Sequence, residues 1–436
     1  MIFLVLILNA LRFVGLSISP PGFYVDEAAG ATQVLCLEQT GHDFFNEHWP
    51  LFSHGLGGGF YTAPFLYGEM IWTSIFGNSP QVFRAFLGLV TCFTIYFLYS
   101  WVRRRGGERA ALFTALSASI MPWAFQFSRI AWDPPLAVLF LVIALWASSG
   151  KKMNPFAGVF LALAAYSYPP MRVGAALFWI LIPGRTWKQT FRDLGVFAVV
   201  CIPLFLRSMD PDFVARGKML AIWSSYSTNP YANANIFQLL GGFISQVCEH
   251  FSFDFLFLKG DANLRHSIQS MGMLSWMDGL SILGGIYFLL RMILPSKIRE
   301  KLRLGKNIPW SNGQIELLMV AILGILIGVT PAALTWEGVP HALRAIGAWP
   351  FFAVISGLMF AQLEKSIPDG TLRKCVSPAL GLFAMCFFAI YLNDYFGAYA
   401  ERAVPWFQTD NAPISQAYHR MTVEGKSCAE LRRMGH

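Results

Sequence analysis

Long apolar runs separated by short polar stretches constrain this chain more than any motif does. Runs close to the roughly 20 residues that a bilayer requires lie at about 1–18, 80–101, 109–125, 134–149, 192–207, 274–294, 314–330, 344–361 and 376–392, with two shorter ones at 155–167 and 171–183. Charged residues make up 13% of the 436-residue chain and hydrophobic ones 55%, against about 25% charged in an ordinary soluble domain. The pattern predicts an all-α polytopic membrane protein of about eleven spans. The first run has no basic region before it and no small-residue cleavage site, so it reads as a retained helix. The seven cysteines show no CxxC and no paired spacing with histidine, so neither a zinc site nor a disulfide framework is readable.

Basic residues orient the spans. With the N-terminus in the cytoplasm, Arg103-Arg104-Arg105 with Arg109, Lys151-Lys152, Arg185 with Lys188, the Lys297 to Lys306 cluster, and Lys365 with Arg373-Lys374 all fall inside. The net charge of +8 is thus a matter of membrane orientation, not of nucleic-acid binding. The same parity puts loops 19–79 and 208–272 outside, with turns near 126–133, 166–172 and 331–343 and a tail at 394–436, leaving 1–393 as one membrane module. If 155–183 were a re-entrant hairpin, later parity would be unchanged. Cys248 and Cys428 are expected outside. In the first outer loop, Pro64 to Phe76 has the aromatic, amphipathic character of an interfacial helix.

The distinctive polar residues collect on that one outer face: Asp26-Glu27, Ser128-Arg129, Asp133, Tyr166-Ser167-Tyr168, Asp261, Arg265-His266, Thr335, His341 and Arg344. Each also has a plainer reading. Asp26-Glu27, after Pro20-Pro21-Gly22, suits a helix start, where a carboxylate caps and complements the dipole; a carboxylate fixed there also suits a general base. Gly260 to His266 reads either as a surface turn or as a phosphate contact through Arg265 with His266 beside it. Arg344, Arg129 and Arg84 could snorkel to headgroups. Gly55-Leu56-Gly57-Gly58-Gly59 lacks the Lys-Ser/Thr and the preceding strand of a nucleotide-binding loop.

In order along the chain, several segments together resemble the polyprenyl-phosphate-dependent glycosyltransferases of the GT-C superfamily, the group of the protein O-mannosyltransferases and the lipid A aminoarabinose transferase. They are Leu11-Arg12, Pro20 to Ala28, Thr40-Gly41-His42-Asp43, Phe76-Gly77 with Phe83-Arg84, Met121-Pro122-Trp123 with Ser128-Arg129, Tyr166-Ser167-Tyr168, Gly260-Asp261 with Arg265-His266, and Pro331 to Thr335 with His341 and Arg344. The resemblance implies a GT-C-like helix bundle in the plasma membrane that moves a sugar from a polyprenyl-phosphate donor to an acceptor hydroxyl, with inversion, at the extracytoplasmic face. It implies Asp26 as the catalytic base and Glu27 as an orienting group. The phosphate partners would be Arg265, His266 and Arg344, with Arg129 as a weaker candidate, on a surface shared with His341 and Asp261. Tyr61 and Tyr168 would stack on sugar or prenyl chain. A Lys-Pro-Pro-Leu-like stretch of many relatives is replaced here by Tyr61 to Leu66. No metal ligand set is readable, and neither donor sugar nor acceptor is written in the chain. The rivals are a transporter or flippase of lipid-linked sugars, which would place charges deep in paired, broken spans, and a polysaccharide polymerase or ligase of another fold.

Overall fold

The computed structural model describes residues 1–55, 59–149, 156–181, 186–294, 298, 310–368, 370–407 and 413–434. Within these the chain is helical apart from one short hairpin. Four helices are long and apolar enough to cross a membrane: Pro80–Gly106, Asn312–Ala333, Ile346–Ser366 and Thr371–Arg402. The remaining expected spans are shorter or broken. The run at 1–18 is a helix of nine residues, α1 (Ile2–Ala10), ending in a 3-10 turn at Leu11–Phe13. That at 109–125 is split at Met121-Pro122 into Glu108–Ile120 and Pro122–Phe127. That at 192–207 is split at Cys201 into Trp187–Val200 and Ile202–Arg207. Proline explains both splits, because it has no N–H to donate and its ring clashes with the preceding turn. The basic stretches at 151–152 and 297–306 lie outside the described residues.

Broken helices leave backbone carbonyls without partners, which is costly away from water. Three buried arginines supply the missing donors. Arg12 reaches Ala118 and Ser119 carbonyls at 3.2 Å each and the Ala124 carbonyl at 2.9 Å, on both sides of the Met121-Pro122 break. Arg129 donates to the carbonyls of Leu11, Arg12, Gly15 and Ser19, and Arg84 to those of Leu16, Pro20 and Gly22. The irregular stretch from Leu11 to Tyr24 is therefore bound to the bundle by guanidinium groups, and it leads into α2 (Val25–Thr40), the helix that starts with Asp26-Glu27.

The long helices alternate in direction. Gln314 donates to the Gly106 carbonyl at 3.1 Å and Gln362 to Gln314 at 3.0 Å, while Arg109 pairs with Glu364 at 3.5 Å, so one set of helix ends meets there. Glycine lets the middle close up. A side chain on Gly357 would strike Thr114 Oγ1 and the Ala110 carbonyl, and one on Gly328 would come within 2.5 Å of Ala348 N, as expected where small residues bring helix backbones together. Large apolar side chains on the outside, among them Phe3, Phe93, Leu283 and Met319, match a lipid-facing surface.

The hairpin pairs β1 (Phe52–His54) with β2 (Phe60–Thr62), Ser53 opposite Tyr61. The Thr40 to Asp43 motif folds this region: the buried Asp43 accepts from Phe45 N, Glu47 N and Ser53 Oγ at 3.0, 2.8 and 2.7 Å. The C-terminal helices Pro413–Thr422 and Cys428–Arg433 lie against this first loop and α2. Cys36 and Cys428 form a disulfide, Cys428 N donates to Gln39 at 3.0 Å, and Arg432 donates to the carbonyls of Asp43 and Phe44. The cysteine spacing gave no sign of this bond, which joins positions 392 residues apart.

Candidate active site

Asp26 and Glu27 occupy the first turn of α2 and have different surroundings. Glu27 is buried and held from three sides. Arg84 donates to both its oxygens at 2.8 Å, Ala131 N donates to Oε1 at 2.8 Å, and Tyr24 N donates to Oε2 at 3.0 Å in a capping arrangement. Such a pair is costly to break, because either partner left alone would be an uncompensated buried charge. Glu27 and Arg84 are thus committed to one another, and Arg84 does not reach for headgroups. Adjacent helical side chains diverge by about 100°, which turns Asp26 the other way. It is exposed, and Tyr61 fixes its backbone by donating to its carbonyl at 2.8 Å. Enough protein stands around the Asp26 carboxyl for desolvation to hold it above its ordinary value, against the opposing pull of Arg265, Arg216 and the Tyr24 hydroxyl.

Arg265 reaches the same place from the second long loop, its guanidinium 4.2 Å over the Tyr24 ring and 5.3 Å from that of Trp406. Gly260 makes this loop possible: its φ is +76°, and a side chain there would run into Ser267 Oγ. Next to it, the buried Asp261 organises a small network. Its Oδ2 accepts from Ala342 N at 2.7 Å and bonds His266 Nδ1 at 2.9 Å, with His341 Nδ1 at 3.9 Å. The nearby histidines hold the Asp261 carboxyl below its usual range although burial pushes the other way. The His266 and His341 rings lie 4.9 Å apart, and His250 Nε2 accepts from His341 N at 3.1 Å. Arg344 lies one turn after His341 and donates to Thr335 Oγ1 at 2.9 Å and the Glu337 carbonyl at 2.7 Å.

Of the residues singled out from the sequence, the structure brings Asp26, Arg265, His266, Asp261, His341, Arg344, Tyr61 and Tyr168 into one connected cluster. Tyr168 joins it through Arg344 and Asp133, whose charges act on its hydroxyl. Arg129 does not join. Its guanidinium is fully buried, bonded to four backbone carbonyls and stacked 5.2 Å from the Tyr395 ring, so it serves the fold where a substrate contact was expected. Two further residues belong to the cluster. Trp132 lies between Tyr24 and His266, at 6.5 and 5.9 Å, with its buried indole N–H unpartnered. Arg216 carries charge that acts on Tyr24, Asp26, Tyr168 and Arg344. The only sequence signal for Arg216 was its spacing from Phe213 and Leu220 on one helical face.

Among the described residues, Asp261, His266 and His341 are also the group that could hold a metal, with ligand atoms all within 4.8 Å of one another. Two imidazoles and a carboxylate suit zinc and similar ions. In this arrangement, the hydrogen bonds from His266 and Ala342 already occupy Asp261 Oδ2, so an ion would have to displace the His266 proton.

Residues 65–208 match the family model described as dolichyl-phosphate-mannose-protein mannosyltransferase. The matched segment contains Arg84, Asp133 and Tyr168 but neither Asp26 nor the Asp261 network. No curated protein matches the chain. Among solved structures, the chain is similar to ArnT from Cupriavidus metallidurans bound to undecaprenyl phosphate, at 16% identity and a TM-score of 0.46, covering 92% of this chain and 77% of that one. It is also similar to the archaeal oligosaccharyltransferase AglB from Archaeoglobus fulgidus in complex with an inhibitory peptide and a dolichol-phosphate, at 16% identity and a TM-score of 0.49, covering 94% of this chain and 58% of that one. The family match agrees, over residues 65–208, with the resemblance read from the motifs.

Proposed function

We propose that the protein is an inverting glycosyltransferase that takes a sugar from a polyprenyl-phosphate donor and delivers it to an acceptor hydroxyl, with Asp26 as the base. The carrying observation is the division of labour in the acidic pair: Arg84 immobilises Glu27, whereas Asp26 is open to solvent and faces arginines. In this reading Asp26 takes the acceptor proton while the hydroxyl oxygen attacks the anomeric carbon from the side opposite the phosphate. The carbon–oxygen bond to the phosphate breaks, and its electron pair leaves with the polyprenyl phosphate. The negative charge growing on that leaving group is stabilised by Arg265 and Arg344, fixed beforehand by Tyr24, Thr335 and the Glu337 carbonyl. Tyr61 positions Asp26, and His266 and His341 line the space between the arginines. A bound divalent ion would add a further positive charge at Asp261, His266 and His341.

The location of this chemistry is also a proposal. The candidate residues gather at one end of the four long helices, and the basic residues around Arg103 to Arg109, Lys365 and Arg373-Lys374 at the other, which suits an extracytoplasmic site and a cytoplasmic basic face in a plasma membrane. The disulfide supports the same orientation, since such bonds persist in oxidising compartments.

The test is sugar transfer from a defined polyprenyl-phosphate sugar by the purified protein. Asp26→Asn is expected to fold and insert normally and to lose about 10²- to 10⁴-fold in rate. Near-normal turnover would remove Asp26 from the chemistry. Movement of the intact donor across a vesicle membrane, unaffected by that substitution, would instead favour a flippase.

A further inference from the structure

We infer that Arg216 is a direct contact for the phosphate of the lipid-linked donor, carried by a helix that bridges two sides of the site. The inference rests on the function proposed above and adds a residue to it. The helix runs from Pro211 to Leu220, with Asp210 capping it by accepting from Asp212 N at 3.0 Å.

Both of its ends are anchored. At the start, Phe213 is buried against Phe52 and Phe60 of the hairpin, at 5.1 and 4.9 Å, and beneath the Arg172 guanidinium at 4.6 Å. This hairpin continues into Tyr61, which holds the Asp26 backbone. At the far end, the Leu220 carbonyl accepts from Trp336 N at 3.1 Å, the Met219 carbonyl from Trp336 Nε1 at 2.8 Å, and Ala221 bridges to Thr335. Thr335 in turn holds Arg344.

Arg216 lies three residues after Phe213 and four before Leu220, so it shares the anchored face with both. Phe213 and Leu220 are buried but Arg216 is exposed. A residue on the inward face, midway between two buried anchors, remains exposed only if it opens onto unfilled space. Its charge acts on Tyr24 and Asp26 on one side and on Tyr168 and Arg344 on the other, which identifies that space as the cluster already described. Among the described residues it has no hydrogen bond or ion pair. Arg207, just before the helix, differs in being paired with Asp210 at 3.0 Å and stacked on Phe60 at 5.0 Å. Arg216, Arg265 and Arg344 thus converge from three separate segments on one opening, where Asp26 faces Arg265 and Arg216 while Glu337 and Asp261 act on Arg344. Guanidiniums gathered in this way match a phosphate, which accepts paired N–H donors.

The experiment uses the full chain in lipid nanodiscs, with polyprenyl phosphate lacking a sugar as the binding probe and a polyprenyl-phosphate sugar for transfer. Arg216→Gln is expected to weaken binding of the probe by about ten- to a hundred-fold and to reduce its salt dependence, with an unchanged melting temperature. Arg216→Lys should fall between, keeping the charge and losing the fork. Lys218→Gln, on the opposite face of the same helix, should match the parent. Removing Arg216 should also move the acid limb of the transfer rate to higher pH, since its charge favours ionised Asp26; a purely structural role would not do that. Parental binding in both Arg216 variants, with transfer still abolished in Asp26→Asn, would overturn this inference and leave the proposed function standing. Failure of the parent protein itself to bind polyprenyl phosphate or transfer its sugar would overturn both.

Discussion

The two ends of the long helices handle charge in opposite ways. At the site end, the Arg84–Glu27 pair is shut away with its side chains 1% and 0% exposed, and Arg12 and Arg129 are equally buried. At the other end, Arg103 meets Glu108 with side chains 61% and 44% exposed, and Arg105 meets Glu316 at 23% and 40%. Exposed pairs are screened and contribute little. Buried ones must be completed with hydrogen bonds or they destabilise. The basic end can therefore be varied freely so long as its sign is kept, whereas the site end is a framework in which nearly every polar atom has an assigned partner. Against that framework, the exposed Arg216 and the buried Trp132 indole N–H are left without partners, and groups of this kind mark where a ligand belongs.

The largest expected effect on stability comes from Glu27→Gln. It leaves Arg84 charged and buried, and should cost about 3–5 kcal/mol, read as a collapse of thermal or denaturant stability, while Asp26→Asn keeps the parent's stability. A Glu27→Gln protein as robust as the parent would erase the contrast between the ends. The resemblance read from the sequence implied only an orienting role for Glu27, because the sequence does not reveal its partner.

A second effect is on pH. As a base Asp26 must be ionised, and desolvation raises its carboxyl above the ordinary range of about 4 while Arg265, Arg216 and Tyr24 lower it and Glu27 raises it. The transfer rate should therefore climb as pH rises through that elevated value. The stability sign is the opposite: the folded state holds this proton more tightly than the unfolded chain, so this group's contribution to stability grows as pH falls. Asp133 is raised to about 7, chiefly by burial and further by the Asp26 charge, against its own backbone N–H and Arg172. It should add a second inflection near neutrality that Asp133→Asn removes; an identical profile in that variant would take Asp133 out of the site's field.

The smallest effect should come from Arg103→Gln at the basic end, with stability changed by less than about 0.5 kcal/mol and transfer unaltered. A large loss there would show that the open end is as tightly specified as the closed one.

Much of the site could be read in the sequence because its parts sit next to span boundaries. Asp26 follows Pro20-Pro21-Gly22, and His341 and Arg344 open a long helix, so parity alone placed them together. Arg129 misled because a linear reading cannot show which carbonyls a broken helix strands; the prolines that strand them, Pro122 and Pro20-Pro21, were visible, but the arginines answering them come from elsewhere. The break in the run at 109–125 was hidden for a related reason, since hydropathy runs through Met121-Pro122 while the helix does not. Arg216 was overlooked since a lone arginine on a loop helix has no meaning until both helix ends are seen to be tied.

The Cys36–Cys428 bond bears on biosynthesis. A ribosome delivers α2 to the membrane early, and the partner cysteine emerges 392 residues later. Throughout that interval, the helix that presents Asp26 lacks the flank that Cys428 and Arg432 will cover. Closing the bond requires that both cysteines reach the same side of the bilayer, so every intervening crossing must already have resolved to matching parity. The clasp can thus serve as a checksum on insertion: a chain threaded with one crossing too many or too few cannot form it, and its acidic helix remains unbraced.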